Sequence, residues 1–346
     1  MKKDKKILRI SYGIDISMED FSVSAGTFSE DMEREISSFK KFKNNQKGFE
    51  KFLLAIRKHQ EIINQDNSIP VWFVMEASGV YYENLAYYLY ERGFNVHVAL
   101  ANKIKNFTKT LENKSKTDDL DSRAITLYGL EKQLNRWNPP SAEMKKLKEL
   151  NRELCAAINT RTMIKNQKHA KESAHDTNES SVKRNKELIR TLNRQIKQIG
   201  KEIEEVLKNF PELKKKVTNI TKIKGVGTQT VVAIICETNG FAGIENRGQL
   251  TSYVGLDIKE NQSGKKTGKA SISKHGNKYV RRVLYMPALC CKKHDKKMKD
   301  LYERVCERHG WKNKKIAITA VMRKILHIIY ALWKNDTEYD PNYGVM

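Results

Sequence analysis

Ile7-Leu8-Arg9-Ile10-Ser11-Tyr12-Gly13-Ile14-Asp15-Ile16-Ser17 alternates apolar with polar or small residues and is rich in β-branched side chains, as a strand with one face on a core would be. Met18-Glu19-Asp20 reads as a turn, and Phe21 to Phe28 repeats the alternation, so the chain opens on a hairpin that carries Asp15. Glu35 to Phe42 predicts a third strand. Gln46 to Ile63 places Phe49, Phe52, Leu53, Ile56 and Ile62 at helical spacing. Val71-Trp72-Phe73-Val74-Met75 follows Pro70 as a nearly continuous apolar run, suited to a strand buried on both faces, and it ends in Glu76. A helix through Leu85 and Leu89, a turn at Gly93 and a strand from Val96 to Leu100 come next. Three antiparallel strands, then strand, helix, strand, helix, is the order of a ribonuclease-H-like α/β domain.

In that order Asp15 lies on the first strand and Glu76 ends a later central strand. A third group of acids stands in Lys116-Thr117-Asp118-Asp119-Leu120-Asp121-Ser122-Arg123. With Thr117 as N-cap, Asp118 and Asp121 share one helix face at i and i+3, and Asp119 points elsewhere and should tolerate Asn. First-turn acids also complement a helix N-terminus, and the octapeptide alone favours that plainer reading. Together, Asp15, Glu76, Asp118 and Asp121 can converge. Four such carboxylates repel one another unless cations neutralise them, the setting for two divalent ions about 3.5–4 Å apart that position a phosphodiester and activate the attacking oxygen. Oxygen-only ligands point to Mg2+, or Mn2+.

The chain of 346 residues is long enough for two or three domains, and 65 Lys+Arg against 41 Asp+Glu give a formal net charge of +24, the footprint of a nucleic-acid binder. No apolar run is expected to approach the roughly 20 residues that span a bilayer, and Met1-Lys2-Lys3-Asp4-Lys5-Lys6 has no apolar signal core, so the expectation is a cytoplasmic, nucleoid-associated protein with no membrane partner. The cysteines show neither CxxC pairs nor zinc-like spacing with histidine, and adjacent Cys290 and Cys291 read as packed helix residues.

Trp137-Asn138-Pro139-Pro140 closes the first domain, taken as residues 1–138. In residues 139–210, Leu147, Leu150, Leu154 and Ile158, then Leu188, Leu192, Ile196, Ile199, Ile203, Val206 and Leu207, keep helical spacing in a polar background. They predict a coiled-coil hairpin, which either pairs with another protomer or forms a solvated intramolecular pair. Residues 211–346 read as a mainly helical domain. Within it Lys224-Gly225-Val226-Gly227, opening onto the apolar helix Thr228 to Ala233, has the form of a helix-hairpin-helix whose backbone N–H groups can meet a phosphate. Asn261 to Asn277 is rich in Gly, Lys and Ser, with Lys265, Lys266, Lys269 and Lys274 as phosphate-binding candidates. A serine there is a possible nucleophile toward phosphorus if its hydroxyl is activated, although most serines in basic loops only contact phosphate or water.

The set Gly-Ile-Asp15, Met-Glu76-Ala-Ser-Gly, Lys-Thr-Asp118-Asp-Leu-Asp121-Ser-Arg, Gly-Val-Gly, Tyr-Val-Gly-Leu, Gln-Ser263-Gly and Ile-Ser-Lys-His-Gly-Asn-Lys-Tyr, in this order over nearly the whole chain, resembles the DEDD transposases of the insertion sequence 110 family. The resemblance implies a domain like that of the Holliday-junction resolvase RuvC, a coiled-coil hairpin and a C-terminal transposase domain. It implies Asp15, Glu76, Asp118 and Asp121 as magnesium ligands and Ser263 as a nucleophile forming a phosphoserine link to DNA. It further implies donor and target DNA as substrates, a bridge RNA that pairs with both, and a homodimer assembling to a homotetramer. Two departures from the family pattern are Ser122, where alanine is usual, and Ser263-Gly264-Lys265-Lys266, where many relatives have Ser-Ser-Gly-Gly; Ser271 and Ser273 are rival nucleophiles. The rival functions are a junction endonuclease using metal-activated water and a non-catalytic helix-hairpin-helix DNA-binding protein.

Overall fold

The computed structural model describes residues 6–64, 68–77, 79–111, 118–259, 262–263, 266–267 and 271–342, without the side chains of 118, 262, 263, 266 and 267. Its contacts divide the chain into two compact units, Met1–Pro139 and Pro140–Met346.

In the first unit β1 (Ile7–Ile16), β2 (Asp20–Ser29) and β3 (Arg34–Lys43) precede α1 (Gln46–Ile63), β4 (Val71–Glu76), α2 (Glu83–Tyr90), β5 (Asn95–Ala99), α3 (Ala101–Thr108) and α4 (Asp118–Glu131). The sheet order is β3-β2-β1-β4-β5. The first three strands pair antiparallel, whereas β4 joins β1, and β5 joins β4, in parallel. This is the ribonuclease-H-like order. Alternation in β1 sorts the two faces: Ile10, Tyr12, Ile14 and Ile16 pack with Phe49, Phe52 and Ile56 of α1 and with Leu85 and Leu89 of α2. Ser11, Gly13 and Asp15 therefore face the other way, toward α4.

That second face admits the helix because its residues are small. A Cβ on Gly13 would stand 2.2 Å from the backbone N of Thr126 and 2.4 Å from the carbonyl O of Ser122. One on Gly129 would stand 2.1 Å from Ser11 Oγ. Backbone thus lies almost on backbone, and Val74 of β4 packs with Ile125 and Tyr128 beside the contact. Gly129 sits over Ser11 and Ser122 over Gly13, so α4 runs antiparallel to β1 and its first turn reaches the end of the strand where Asp15 stands.

The second unit comprises α5 (Ala142–Glu172), α6 (Glu179–Asn209), α7 (Pro211–Thr221), α8 (Thr228–Glu237), α9 (Arg247–Val254), β6 (Ile258–Lys259), β7 (Gln262–Ser263), β8 (Lys266–Thr267), β9 (Ser271–Ile272), α10 (Lys278–Val283), α11 (Tyr285–His294), α12 (Lys296–His309) and α13 (Lys314–Asn335). One core runs through it. Leu147, Leu150 and Leu154 of α5 and Ile199, Ile203 and Val206 of α6 share this core with α8 and α13. The helical hairpin, which the sequence suggests as a body of its own, is rooted by its base in the C-terminal helices.

One expectation is corrected here. Trp311–Asn335 is long and apolar enough to cross a membrane by length and composition. In this fold α13 is a core helix, with Ala317, Val321, Ile325, Leu326 and Ile329 wholly buried. Its apolar residues answer to neighbouring helices on several sides, which widens the stripe beyond that of a surface helix.

Candidate active site

Asp15 and Glu76 come together through strand register. The parallel pairing of β1 with β4 ends at Ile14 opposite Met75, so each acid follows the last paired residue of its strand. Both follow an inward apolar residue of the α1/α2 face and stand on the α4 face, about 4.8 Å apart in the direction across strands. Both are half-buried. Asp121 lies in the first turn of α4, half-buried, with Asp119 exposed beside it. Asp118 is the first residue of α4. Its side chain, and Thr117 with its proposed cap, lie outside the described residues.

Asp15, Glu76 and Asp121 offer oxygen donors, which suit Mg2+ or Mn2+. Among the described residues no three His, Cys, Asp or Glu side chains form a ready ligand set.

A hydroxyl network that the sequence reading passed over fixes α4 on the sheet. Ser24 Oγ of β2 lies 2.7 Å from Ser122 Oγ, and Ser122 Oγ donates to the Asp119 carbonyl at 2.9 Å. Thr126 Oγ1 accepts from Gly13 N at 3.0 Å and donates toward the carbonyls of Ser122 and Ser24 at 2.9 and 3.1 Å. Ser24, Ser122 and Thr126 are all wholly buried. The serine that departs from the resembled family pattern is therefore a buried hydrogen-bonding group with a partner on β2. Replacing Ser122 by Ala should cost about 1–2 kcal/mol, because Ser24 is left without its partner. In a thermal or urea unfolding cycle the Ser24→Ala/Ser122→Ala double variant should lose less than the two single losses added together.

In the second unit α7, a turn at 222–227 and α8 form the expected helix, hairpin and helix. Lys224, Gly225 and Gly227 are exposed there. Gly225 takes φ +93°, and a Cβ on it would meet Cys290 Cβ at 2.7 Å, so the turn is pressed against α11. Gly227 has open space around it and caps α8.

Of the serines, Ser263 pairs with Lys266 across the β7–β8 hairpin. Its side chain and that of Lys266 are outside the described residues, as are Lys265 and Lys269 altogether. Ser271 is exposed opposite Lys259. Ser273 donates its hydroxyl to Asp257 Oδ1 at 2.5 Å and receives His275 N at 3.3 Å, which ties it into the loop. Lys274 is exposed.

The loop is anchored by Glu237, an acid the sequence reading did not single out. Glu237 is buried at the end of α8, accepts from Arg152 Nε and Nη2 of α5 at 2.9 and 3.2 Å, and accepts from Asn277 Nδ2 at 2.8 Å. The hydrogen bonds to Glu237 raise the Arg152 guanidinium above its ordinary value. Asn277 in turn caps α10 through Tyr279 N and Val280 N. No spacing rule links residues 152 and 237, so only the folded contact, an exposed arginine reaching a buried carboxylate, reveals the pair.

Two family models match successive parts of the chain, the first running past Pro140 into α5. Residues 12–171 match a family model described as a transposase of the IS110 DEDD type, and residues 217–303 match one described as "Transposase IS116/IS110/IS902 family". The chain is 28% identical over 301 residues to the pilin gene-inverting protein of Moraxella bovis, covering 86% of this chain and 89% of that one, and 28% identical to its counterpart in Moraxella lacunata. An insertion element IS110 protein of Streptomyces coelicolor is 22% identical over 121 residues. The structure of Thermus thermophilus RuvC aligns at 11% identity, covering 37% of this chain and 99% of that one, with a TM-score of 0.23. The strand order, not this low score, carries the fold assignment.

Proposed function

The chain belongs to the IS110 family of transposases, and from that premise we propose that it cleaves, exchanges and religates DNA strands through a phosphoserine intermediate, guided by a structured RNA. The observation that carries the reading is the register that sets Asp15 beside Glu76 under the helix bearing Asp118 and Asp121. These four carboxylates would hold a pair of Mg2+ or Mn2+ ions, which when bound neutralise the phosphodiester and favour an attacking oxygen.

The chain's own groups supply the rest. Ser263 Oγ attacks the phosphorus, a P–O bond forms to the serine, and a bridging DNA oxygen leaves and takes up a proton as the serine hydroxyl loses one. The ester keeps the phosphodiester's bond energy, so a second DNA hydroxyl can displace the serine and reseal the strand without an external energy source. Lys265, Lys266, Lys269 and Lys274 neutralise phosphates near the reacting one, and the backbone at Lys224, Gly225 and Gly227 holds DNA without reading its sequence. Ser273, committed to Asp257, is the weaker rival.

The relatives named for inverting a pilin gene suit a reaction in which both ends are rejoined. The net charge of +24 suits a protein that holds DNA and an RNA together. Exposed Met163 and Leu188 on the hairpin helices suit pairing between protomers on the way to a tetramer.

In a recombination reaction with Mg2+ and the cognate RNA, wild-type protein should give a covalent protein–DNA adduct on a denaturing gel, and Ser263→Ala should give none. Adduct at wild-type yield from Ser263→Ala rejects this serine, and Ser271→Ala then becomes the variant to compare.

A further inference from the structure

A groove of about 550 Å3 opens between β2, β3 and the start of α4, lined by Ser22, Ser38, Lys40, Lys41 and Asp119. It arises from a β-bulge. Val23 pairs with Lys40 and Ser24 with Ser38, so Phe39 is an extra residue on β3, and the strand bends at that point. Phe39 turns into the core against Tyr12.

Register fixes where the groove lies with respect to Asp15. Ser22 is the Cα partner of Asp15, and Lys41 is the Cα partner of Ser22. Residues paired in this way share a face, so Asp15, Ser22 and Lys41 form one row across three strands, and Lys41 starts about 10 Å from Asp15, two strand spacings away. The neighbouring residues confirm the face, since Ser24 of β2 bonds to Ser122 of α4. Lys41 is exposed, and its Nζ lies 3.2 Å from Asp20 Oδ1, which holds the ammonium beside the groove. Hydroxyls and an ammonium recognise phosphate oxygens, and the Phe39 ring that also lines the groove is packed against Tyr12.

We propose that this groove seats a phosphate of the DNA strand being cut, roughly one or two nucleotides from the reacting phosphate, with Lys41 as its cation and Ser22 and Ser38 as hydroxyl donors. The inference rests on the reading of Asp15 as part of the cleavage site. The occupant is the cleaved DNA strand because the row leads straight to that residue. Lys41 and the two serines position the strand and take no part in bond making.

The test uses the full chain and a DNA duplex carrying the element's end, with and without a single methylphosphonate linkage stepped through the nucleotides beside the cut. Lys41→Gln should weaken binding several-fold whatever the flanking sequence, and should lower the slope of log affinity against log salt by about one. Lys41→Arg should restore both. One methylphosphonate position should weaken wild-type binding and add nothing in Lys41→Gln. Ser22→Ala, which removes a proposed hydroxyl donor on the same row, reads the groove through the methylphosphonate penalty if Lys41→Gln does not fold. An unchanged salt slope, a methylphosphonate penalty equal in both proteins, or a deficit seen only with the guide RNA would overturn the proposal. Binding is scored without cleavage, so adduct formation with an unchanged slope defeats the groove alone. Absence of adduct from wild-type protein defeats the serine reading, and the groove is then judged on binding.

Discussion

Asp15→Asn should bind DNA as the wild type does and cleave it on the order of a hundredfold more slowly, or worse. Outer-shell partners of a metal site already cost roughly 10- to 100-fold when removed, and a direct ligand costs more. The substitution keeps shape and hydrogen-bonding capacity while removing a charge from the pair that Asp15 makes with Glu76 at the ends of β1 and β4. Two readouts separate its possible roles. If Asp15 serves the metal, adduct yield falls and raising Mn2+ recovers part of it, while band-shift affinity and melting temperature stay put. If it is only a strand-end residue, adduct forms at the wild-type rate, and the four-carboxylate site is wrong.

Gly13→Ala should be one of the most damaging single methyl groups in the first unit. The added Cβ would meet the Thr126 backbone N at 2.2 Å and the Ser122 carbonyl at 2.4 Å, and both atoms belong to a helix held down by buried hydrogen bonds. Neither side can yield as a flexible side chain would. Overpacking of this kind costs about 3 kcal/mol. For a unit of this size that is a fall of about 10 °C in melting temperature. Gly200→Ala is the matched control, because a Cβ there meets nothing within 4 Å on a regular helix. It should gain about 0.5–1 kcal/mol from helix propensity alone. Equal melting points for wild type and Gly13→Ala would mean that α4 does not lie on β1 as described.

The first unit was legible because its signals are local. Alternation in Ile7 to Ser17, the apolar run ending at Glu76 and the turn at Gly93 each declare a strand or its end, and the order of such elements leaves few topologies. The acids were legible as positions on those elements. What stayed hidden depends on pairs far apart in the chain. Ser24 and Ser122 look like ordinary polar residues until β2 and α4 meet, and the bulge at Phe39 breaks no rule visible in Glu35 to Phe42. Glu237 ends an apolar helix and reads as a solvated terminal acid, yet it is buried against an arginine from another helix. The expectation of no bilayer-length apolar run overlooked α13, because a helix surrounded by neighbours and one surrounded by lipid share a composition.

The Glu237 clamp bears on how such recombinases can be recombined with one another. Arg152 comes from the base of the helical hairpin and Asn277 from the segment that follows the serine loop, and both donate to one buried carboxylate. A chimaera joined at Pro211 would bring in a foreign hairpin and strand that carboxylate, a penalty of several kcal/mol if the new hairpin lacks the arginine. A junction at Pro139-Pro140 leaves the clamp whole. Modular exchange in this architecture therefore has one natural seam, and the hairpin travels with the serine loop as a single cassette.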